Sequence, residues 1–184
     1  MTCNPNELRS LVRGNGVHRR VYTDPEIFEL ELDRIFGRAW VYVAHESQLK
    51  APGDFLRANL GRYDMVVTRH KDGTIHVLHN RCAHRGARFL TAPCGNTNTF
   101  MCPYHGWSFA TDGTLDGVPH RQSYPEAFRL EDPRNHLFQA PRVDSYRGFV
   151  FASLAPSGDS LLQQLGAITS ADRKSTRLNS SHRL

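Results

Sequence analysis

Little in this chain suits a membrane. No apolar run approaches the ~20 residues a helix needs to cross a bilayer. The first sixteen residues, Met1 to Gly16, are polar and lack the hydrophobic centre of a secretion signal. Both absences lead to the expectation of a cytoplasmic protein without a membrane partner. Cysteine is scarce, with four among 184 residues. That is too few for the disulfide framework of a small secreted domain and suits a reducing compartment. No internal repeat or low-complexity tract is present. An excess of one charge sign is also missing once the C-terminal stretch is set apart. Positions 172–184 hold four Lys/Arg and one Asp, and the remainder holds nineteen basic and seventeen acidic residues. The overall +5 therefore gives no support for a nucleic-acid partner. Asp172 opens an abrupt change of composition after a short helical pattern. This stretch is similar to a translated sequencing adapter. The expectation is an artefactual tail rather than a native basic extension, and hence a natural reading frame cut near residue 171.

What is present is concentrated in two short stretches, Cys82-Ala-His84 and Cys102-Pro-Tyr-His105, seventeen residues apart. Each offers one thiolate and one imidazole. That is the ligand set of a Rieske [2Fe–2S] centre, in which one iron takes two cysteines and the other two histidines. Cys82 and Cys102 are expected on the first iron, His84 and His105 on the second. Thiolate is soft and holds iron beside sulfide. Neutral imidazole in place of two thiolates lowers the negative charge, so an added electron is accepted more readily. The potential rises to roughly −150 to +300 mV, against about −400 mV for an all-cysteine plant-type cluster. Gly86 and Gly106 allow tight backbone, Pro103 stiffens the second loop, and Phe89, Tyr104 and Trp107 are candidates to keep water from the sulfurs. The competing reading of the same four side chains is a structural zinc site, although zinc modules more often read Cys-Cys then His-His. Cys3, near the terminus, and Cys94, in a Pro-Cys-Gly turn, read as free thiols.

The remaining pattern describes a scaffold. Thr23-Asp-Pro-Glu26 opens a helix carrying Ile27, Phe28, Leu30, Leu32, Ile35 and Phe36 at helical spacing and stopped by Gly37. Its broad apolar stripe predicts packing on more than one neighbour. From Trp40 the pattern changes to short strands: 40–44, 63–70, 74–79, 97–101, 107–111 and 148–154. Asp72-Gly73 predicts a type I′ hairpin turn, and Asp112-Gly113 a second turn. His70 and His76 flank the first of these and read as solvated strand residues. Leu161, Leu162 and Leu165 suggest a short helix left without its partner. The expected fold is mainly β: a Rieske-type antiparallel β-sandwich with two cluster-binding hairpin loops at one end, preceded by an N-terminal α-helix. The expected organisation is a helical extension over 1–39, the cluster domain over 40–155, the start of a further domain over 156–171, and the tail over 172–184.

Val21-Tyr-Thr-Asp-Pro-Glu-Ile-Phe28, Arg34-Ile-Phe36, Trp40-Val-Tyr-Val-Ala-His-Glu46, Cys82-Ala-His-Arg-Gly-Ala87 and Cys102-Pro-Tyr-His-Gly-Trp107 together carry a resemblance. Over about residues 16–166 the chain resembles the N-terminal part of the large (α) subunit of Rieske non-haem iron ring-hydroxylating dioxygenases, nearest in texture to the benzoate and toluate type. The resemblance implies an electron donor, either a reductase or a ferredoxin. It also implies a homo-oligomer, with or without a small β subunit, and a mononuclear Fe(II) in the full-length protein. Ala87 and Tyr104 stand where respiratory Rieske proteins carry extra cysteines, so no disulfide joins the loops here. The second iron's acid-x-x-His-x-x-x-x-His pattern is missing: His79 and His84 have the spacing, but His76 takes the acid's place. The fragment is thus expected to accept an electron without hydroxylating a ring, and no catalytic residue is assigned to it. The alternative is a free-standing Rieske ferredoxin-type carrier. Arg85 reads equally as a contact to an acidic donor or neighbouring subunit and as a solvated loop arginine.

Overall fold

The computed structural model describes residues 4–170. Cys3 and the tail of 172–184 lie outside them. The N-terminal segment holds helix α1 (Pro5–Ser10), a two-residue ribbon of β1 (Val12–Arg13) and β2 (Gly16–Val17), and helices α2 (Arg20–Thr23) and α3 (Pro25–Glu31). Asp24, one residue later than the sequence pattern places it, caps α3, its carboxylate accepting from the Glu26 amide. The helix then loosens into a π-turn over Leu32–Phe36. Only Ile27 of α3 is buried. Phe28 and Ile35 are more than half exposed, so the expected packing of this stripe on several neighbours is not found among the described residues.

Three antiparallel sheets follow. Strands β4 (Asp54–Leu60), β5 (Tyr63–Arg69), β6 (Ile75–His79) and β7 (Cys94–Asn96) form a central sheet in the order β6-β5-β4-β7. Strands β8 (Thr99–Met101), β9 (Ser108–Ala110) and β10 (Leu115–Gly117) form a second, and β11 (Arg142–Tyr146), β12 (Phe149–Ser153) and β3 (Val41–His45) a third. The central sheet is buried on both faces. Phe55, Val66 and Leu78 pack toward Phe100, Phe109 and Leu115 of the second sheet, and Met65, Val67 and Val77 toward Val43, Val150 and Ala152 of the third. This double burial explains why Met65, Val66 and Val67 run on without polar alternation. Cys94 is an exposed strand residue rather than part of a turn. Helix α4 (Leu161–Leu165) has a partner after all: Leu161 is fully buried, and the Gln164 amide brackets the backbone of Trp40, donating to its carbonyl and accepting from its N–H.

Two turns with the same chemistry close the end of the molecule away from the cysteine loops. In each, Asp-Gly-Thr follows a strand. The aspartate accepts from the threonine amide and hydroxyl, as Asp72 does with Thr74 and Asp112 with Thr114. Only the glycine has positive φ, +88° at Gly73 and +90° at Gly113. The first is therefore not the expected type I′ turn, which needs two such residues. The turns are tied together by His70, whose Nδ1 lies 2.8 Å from Thr111 Oγ1. His70 is buried rather than solvated, and His76 is partly buried and bonded to Gln139 and Thr74.

Candidate metal centre

The loop of Cys82 leaves β6 and travels to β7 at the opposite edge of the central sheet, whereas the loop of Cys102 is the tip of the β8–β9 hairpin. Despite these different connections the two share one backbone design. The Cys82 amide donates to the Ala87 carbonyl at 2.8 Å, and the Gly86 amide returns to the Cys82 carbonyl at 2.8 Å. In the second loop the Cys102 amide donates to the Trp107 carbonyl at 2.8 Å, and the Gly106 amide to the Cys102 carbonyl at 2.9 Å. Gly86 and Gly106, each four residues after its cysteine, take φ of +71° and +70°, where a β-carbon is disfavoured. The histidine departs from the repeat, standing two residues after the cysteine in one loop and three in the other.

This design brings the four predicted residues into two pairs. Cys82 and Cys102 are buried and unbridged, and their sulfurs are near enough for the Cys102 sulfur to act on the Cys82 thiol. Burial pushes the Cys82 thiol up to about 11; the Cys102 sulfur adds to the rise, and the His84 and Arg85 backbone amides work against it. His84 and His105 meet edge to face with ring centroids 4.8 Å apart. Partial desolvation, then the neighbouring His105 and Arg85, holds the His84 imidazole below its ordinary value although the residue as a whole is exposed, favouring the neutral form that binds metals. Among the described residues no three Cys, His, Asp or Glu side chains gather around one point. His76, His79 and His84 do not assemble into a second site.

Aromatic rings fix the imidazoles. Trp107 lies flat on His84, with centroids 4.7 Å apart and planes 8° apart. Its indole N–H donates to the Tyr124 hydroxyl at 2.9 Å. Tyr104 stacks on His105 at 3.9 Å and is mostly exposed, while Phe89 and Trp107 are buried. Three supporting residues gave no signal in the sequence. Asn80 is buried at the foot of the first loop, where its side-chain amide pairs with both backbone groups of Leu90 and donates to Asp64. Pro119 packs against Gly106 so closely that a β-carbon there would lie 2.8 Å from its ring. Tyr124 holds the tryptophan. Pro119 and Tyr124 lie away from the cysteines in sequence, and Asn80, two residues before Cys82, shows its role only through Asp64 and Leu90.

Comparisons with known proteins agree with this geometry. Residues 39–142 match the family described as the Rieske [2Fe-2S] domain. The chain is 45% identical over 150 residues to the α subunit of an N,N-dimethyl phenylurea N-demethylase of Sphingobium sp. (strain YBL2), a match covering 81% of this chain and 32% of that protein. It is 40% identical over 158 residues to the large subunit of a 2-halobenzoate 1,2-dioxygenase of Burkholderia cepacia, covering 84% and 34%. The fold matches the crystal structure of a naphthalene 1,2-dioxygenase from Rhodococcus sp. with a TM-score of 0.78 and 38% identity, over 83% of this chain and 34% of that one. The chain thus spans about a third of the length of the curated relatives it matches. Among the described residues no helix is long and apolar enough to cross a membrane. The chain belongs to the Rieske [2Fe-2S] domain family, in the form found in the α subunits of Rieske oxygenases.

Proposed function

We propose that Cys82 and Cys102 hold one iron of a [2Fe–2S] cluster and His84 and His105 the other, and that the chain is the electron-relay domain of an aromatic-ring oxygenase α subunit. The observation that carries this is the two-plus-two division of the donors. A single zinc requires four donors within about 2.0–2.3 Å of one point, whereas sulfur beside sulfur and nitrogen beside nitrogen suit two irons held by different pairs. When bound, the cluster supplies reversible one-electron chemistry at roughly −150 to +300 mV. The chain's own residues provide the setting. The cysteines must lose their protons to bind, so loading releases protons, including one from the Cys82 thiol that burial otherwise keeps protonated. The His84 and Arg85 amides favour negative charge on the Cys82 sulfur. Trp107 and Tyr104 fix the imidazole planes, and the exposed position of His84 leaves that ligand within reach of a partner.

In this reading a reductase or ferredoxin delivers the electron. In the full-length protein a mononuclear Fe(II) would be held by residues outside this chain and would supply the oxygen chemistry, within a homo-oligomer that has or lacks a β subunit. The substrate class is an aromatic acid of the benzoate or toluate type, supported by the 40% identity to large subunits of a 2-halobenzoate and an anthranilate dioxygenase. A second reading, N-demethylation of an aryl N-methyl compound, is favoured by the 45% identity to the phenylurea N-demethylase α subunit. Diol formation from benzoate against formaldehyde release from an N-methyl phenylurea, measured on the full-length subunit, separates the two. For the ligand site the test is a redox titration of the reconstituted chain. His84→Cys or His105→Cys is expected to retain a cluster while its potential falls toward about −400 mV. An unchanged potential in both variants overturns the assignment.

A further inference from the structure

The two cysteine loops leave their sheets on different terms. Around Cys102 the β8–β9 ladder runs up to the pair Met101–Ser108, so strand hydrogen bonds hold both arms of that loop. The first loop has a ladder on one arm only. Strand β6 delivers Cys82, but residues 86–93 have no regular secondary structure before β7 begins at Cys94. Apolar contact secures one point of this outgoing arm, where Phe89 is buried against Phe100 and Phe109. Polar bonds must secure the rest. An arm free to drift would carry Cys82 and His84 with it, through the backbone bonds that tie Cys82 to Gly86 and Ala87.

One carboxylate gathers the polar side chains that serve this arm. The Arg57 guanidinium donates to the Thr91 carbonyl at 2.9 Å, the Asn80 amide pairs with both backbone groups of Leu90, and Arg88 belongs to the arm itself. Asp64, on β5, takes Arg57 as a fork, accepting from Nε on Oδ1 at 3.2 Å and from Nη2 on Oδ2 at 3.1 Å. Its Oδ2 also accepts from Asn80 Nδ2 at 3.0 Å and pairs with Arg88 Nε at 3.0 Å. The strand register explains the meeting: Asn59 stands opposite Asp64, so Arg57, two residues from Asn59, rises from the same face of the sheet. Asp64 and Arg57 are 20% and 28% exposed, so solvent screens this fork less than it screens a surface pair. Without the carboxylate, two guanidiniums and an amide lose the acceptor that sets their directions.

We propose that Asp64 is a positioning residue for the cluster: by holding Arg57, Asn80 and Arg88 together it clamps the outgoing arm of the first loop and so keeps Cys82 and His84 in place opposite Cys102 and His105. The proposal rests on the electron-relay reading above and adds which residue keeps the unladdered loop aligned with the laddered one. Asp64 acts through Arg57, Asn80 and Arg88 rather than on Cys82 or His84 directly.

The test compares Asp64→Asn with Asp24→Asn in the reconstituted chain. Asp24 is the control because it too pairs with Nε and Nη2 of an arginine, Arg20, but in the N-terminal segment. Asp64→Asn is expected to broaden the EPR spectrum of the dithionite-reduced cluster and to speed loss of its iron to a chelator about tenfold. Asp24→Asn is expected to leave both as in the parent, even where it lowers stability. In the unloaded chain Asp64→Asn should lower the hydrogen-exchange protection of the Leu90 amide about tenfold. Should Asp64→Asn not fold, Arg57→Lys, which keeps the charge and loses the fork, is read in its place by the same measurements. A spectrum and an iron-loss rate like the parent's overturn the proposal, whether or not Leu90 loses protection. Equal changes in Asp24→Asn overturn it as well. A parent chain that takes up no iron–sulfide cluster overturns the relay reading instead, and Leu90 exchange then still tests the clamp on the arm.

Discussion

The two cysteine loops share a skeleton and differ in what surrounds it. Each has a cysteine whose amide reaches five residues ahead and a glycine near φ +70° that reaches back. Beside the first loop lies a long arginine; the Gly86 α-carbon faces the end of the Arg81 side chain. Around the second lies rigid packing: Pro119 against Gly106, and Tyr124 and Phe128 against Trp107. The backbone hydrogen bonds fix the shape of a loop, while its neighbours decide how much that shape tolerates change. The first loop is flanked by a side chain that can give way and the second by packing that cannot.

Alanine at the two glycines breaks the comparison most sharply. Gly86→Ala forces a left-handed alanine, costing about 1–2 kcal/mol, but the added methyl meets only an arginine that can swing away. Gly106→Ala incurs the same strain and also collides with the Pro119 ring, for a total of about 3 kcal/mol. Denaturant unfolding of both variants checks the order. Adding Pro119→Ala should return part of the loss in Gly106→Ala and none in Gly86→Ala, a coupling that a double-mutant cycle reads directly. Equal losses in the two glycine variants would contradict the distinction between the loops.

A smaller effect is expected at Tyr124. Tyr124→Phe leaves the indole N–H of a buried tryptophan without its acceptor, a loss of about 1 kcal/mol. Because Trp107 lies on His84, the same variant should broaden the spectroscopic signature of the iron proposed to sit on the histidines; no comparable change is expected from Arg81→Ala in the first loop.

The smallest effect is one of pH. Burial, and secondarily Arg81, holds the His79 imidazole below its ordinary value, with Asp64 partly opposing. A histidine depressed in the folded state stabilises the fold above its unfolded pKa of about 6.5. That contribution fades as the pH drops through the folded value, because the unfolded chain then binds the proton more readily. His79→Gln should therefore flatten the stability curve below about pH 6.5 and leave it unchanged at pH 8.

Much of this was legible in the sequence, and the reasons are local. Cys82, His84, Cys102 and His105 stand out because few arrangements use one thiol and one imidazole per loop, and Gly86 and Gly106 because a tight turn requires them. Strands β3, β5, β6, β8, β9 and β12 are visible where apolar residues cluster between turn residues, whereas β4, β7, β10 and β11 escape that reading. What stayed hidden depended on contacts between distant segments. Nothing in the sequence distinguishes His70 from a solvated histidine until Thr111 is folded against it. The pairing of β7 with β4, which makes the first loop a crossing rather than a hairpin tip, is a long-range choice. Asn80, Pro119 and Tyr124 act through neighbours ten or more residues away. The exposed apolar side chains of Phe28 and Ile35 follow a helical period that gives no indication of what covers them.

The most direct test of the central claim is Mössbauer spectroscopy on the chain reconstituted with ⁵⁷Fe and sulfide, alongside iron and acid-labile sulfide analysis. Two inequivalent iron sites in equal amount, with iron and sulfide in equal proportion, are predicted for a sulfur pair and a nitrogen pair on separate metals. A single type of iron, or a chain that takes up zinc and no sulfide, would contradict it.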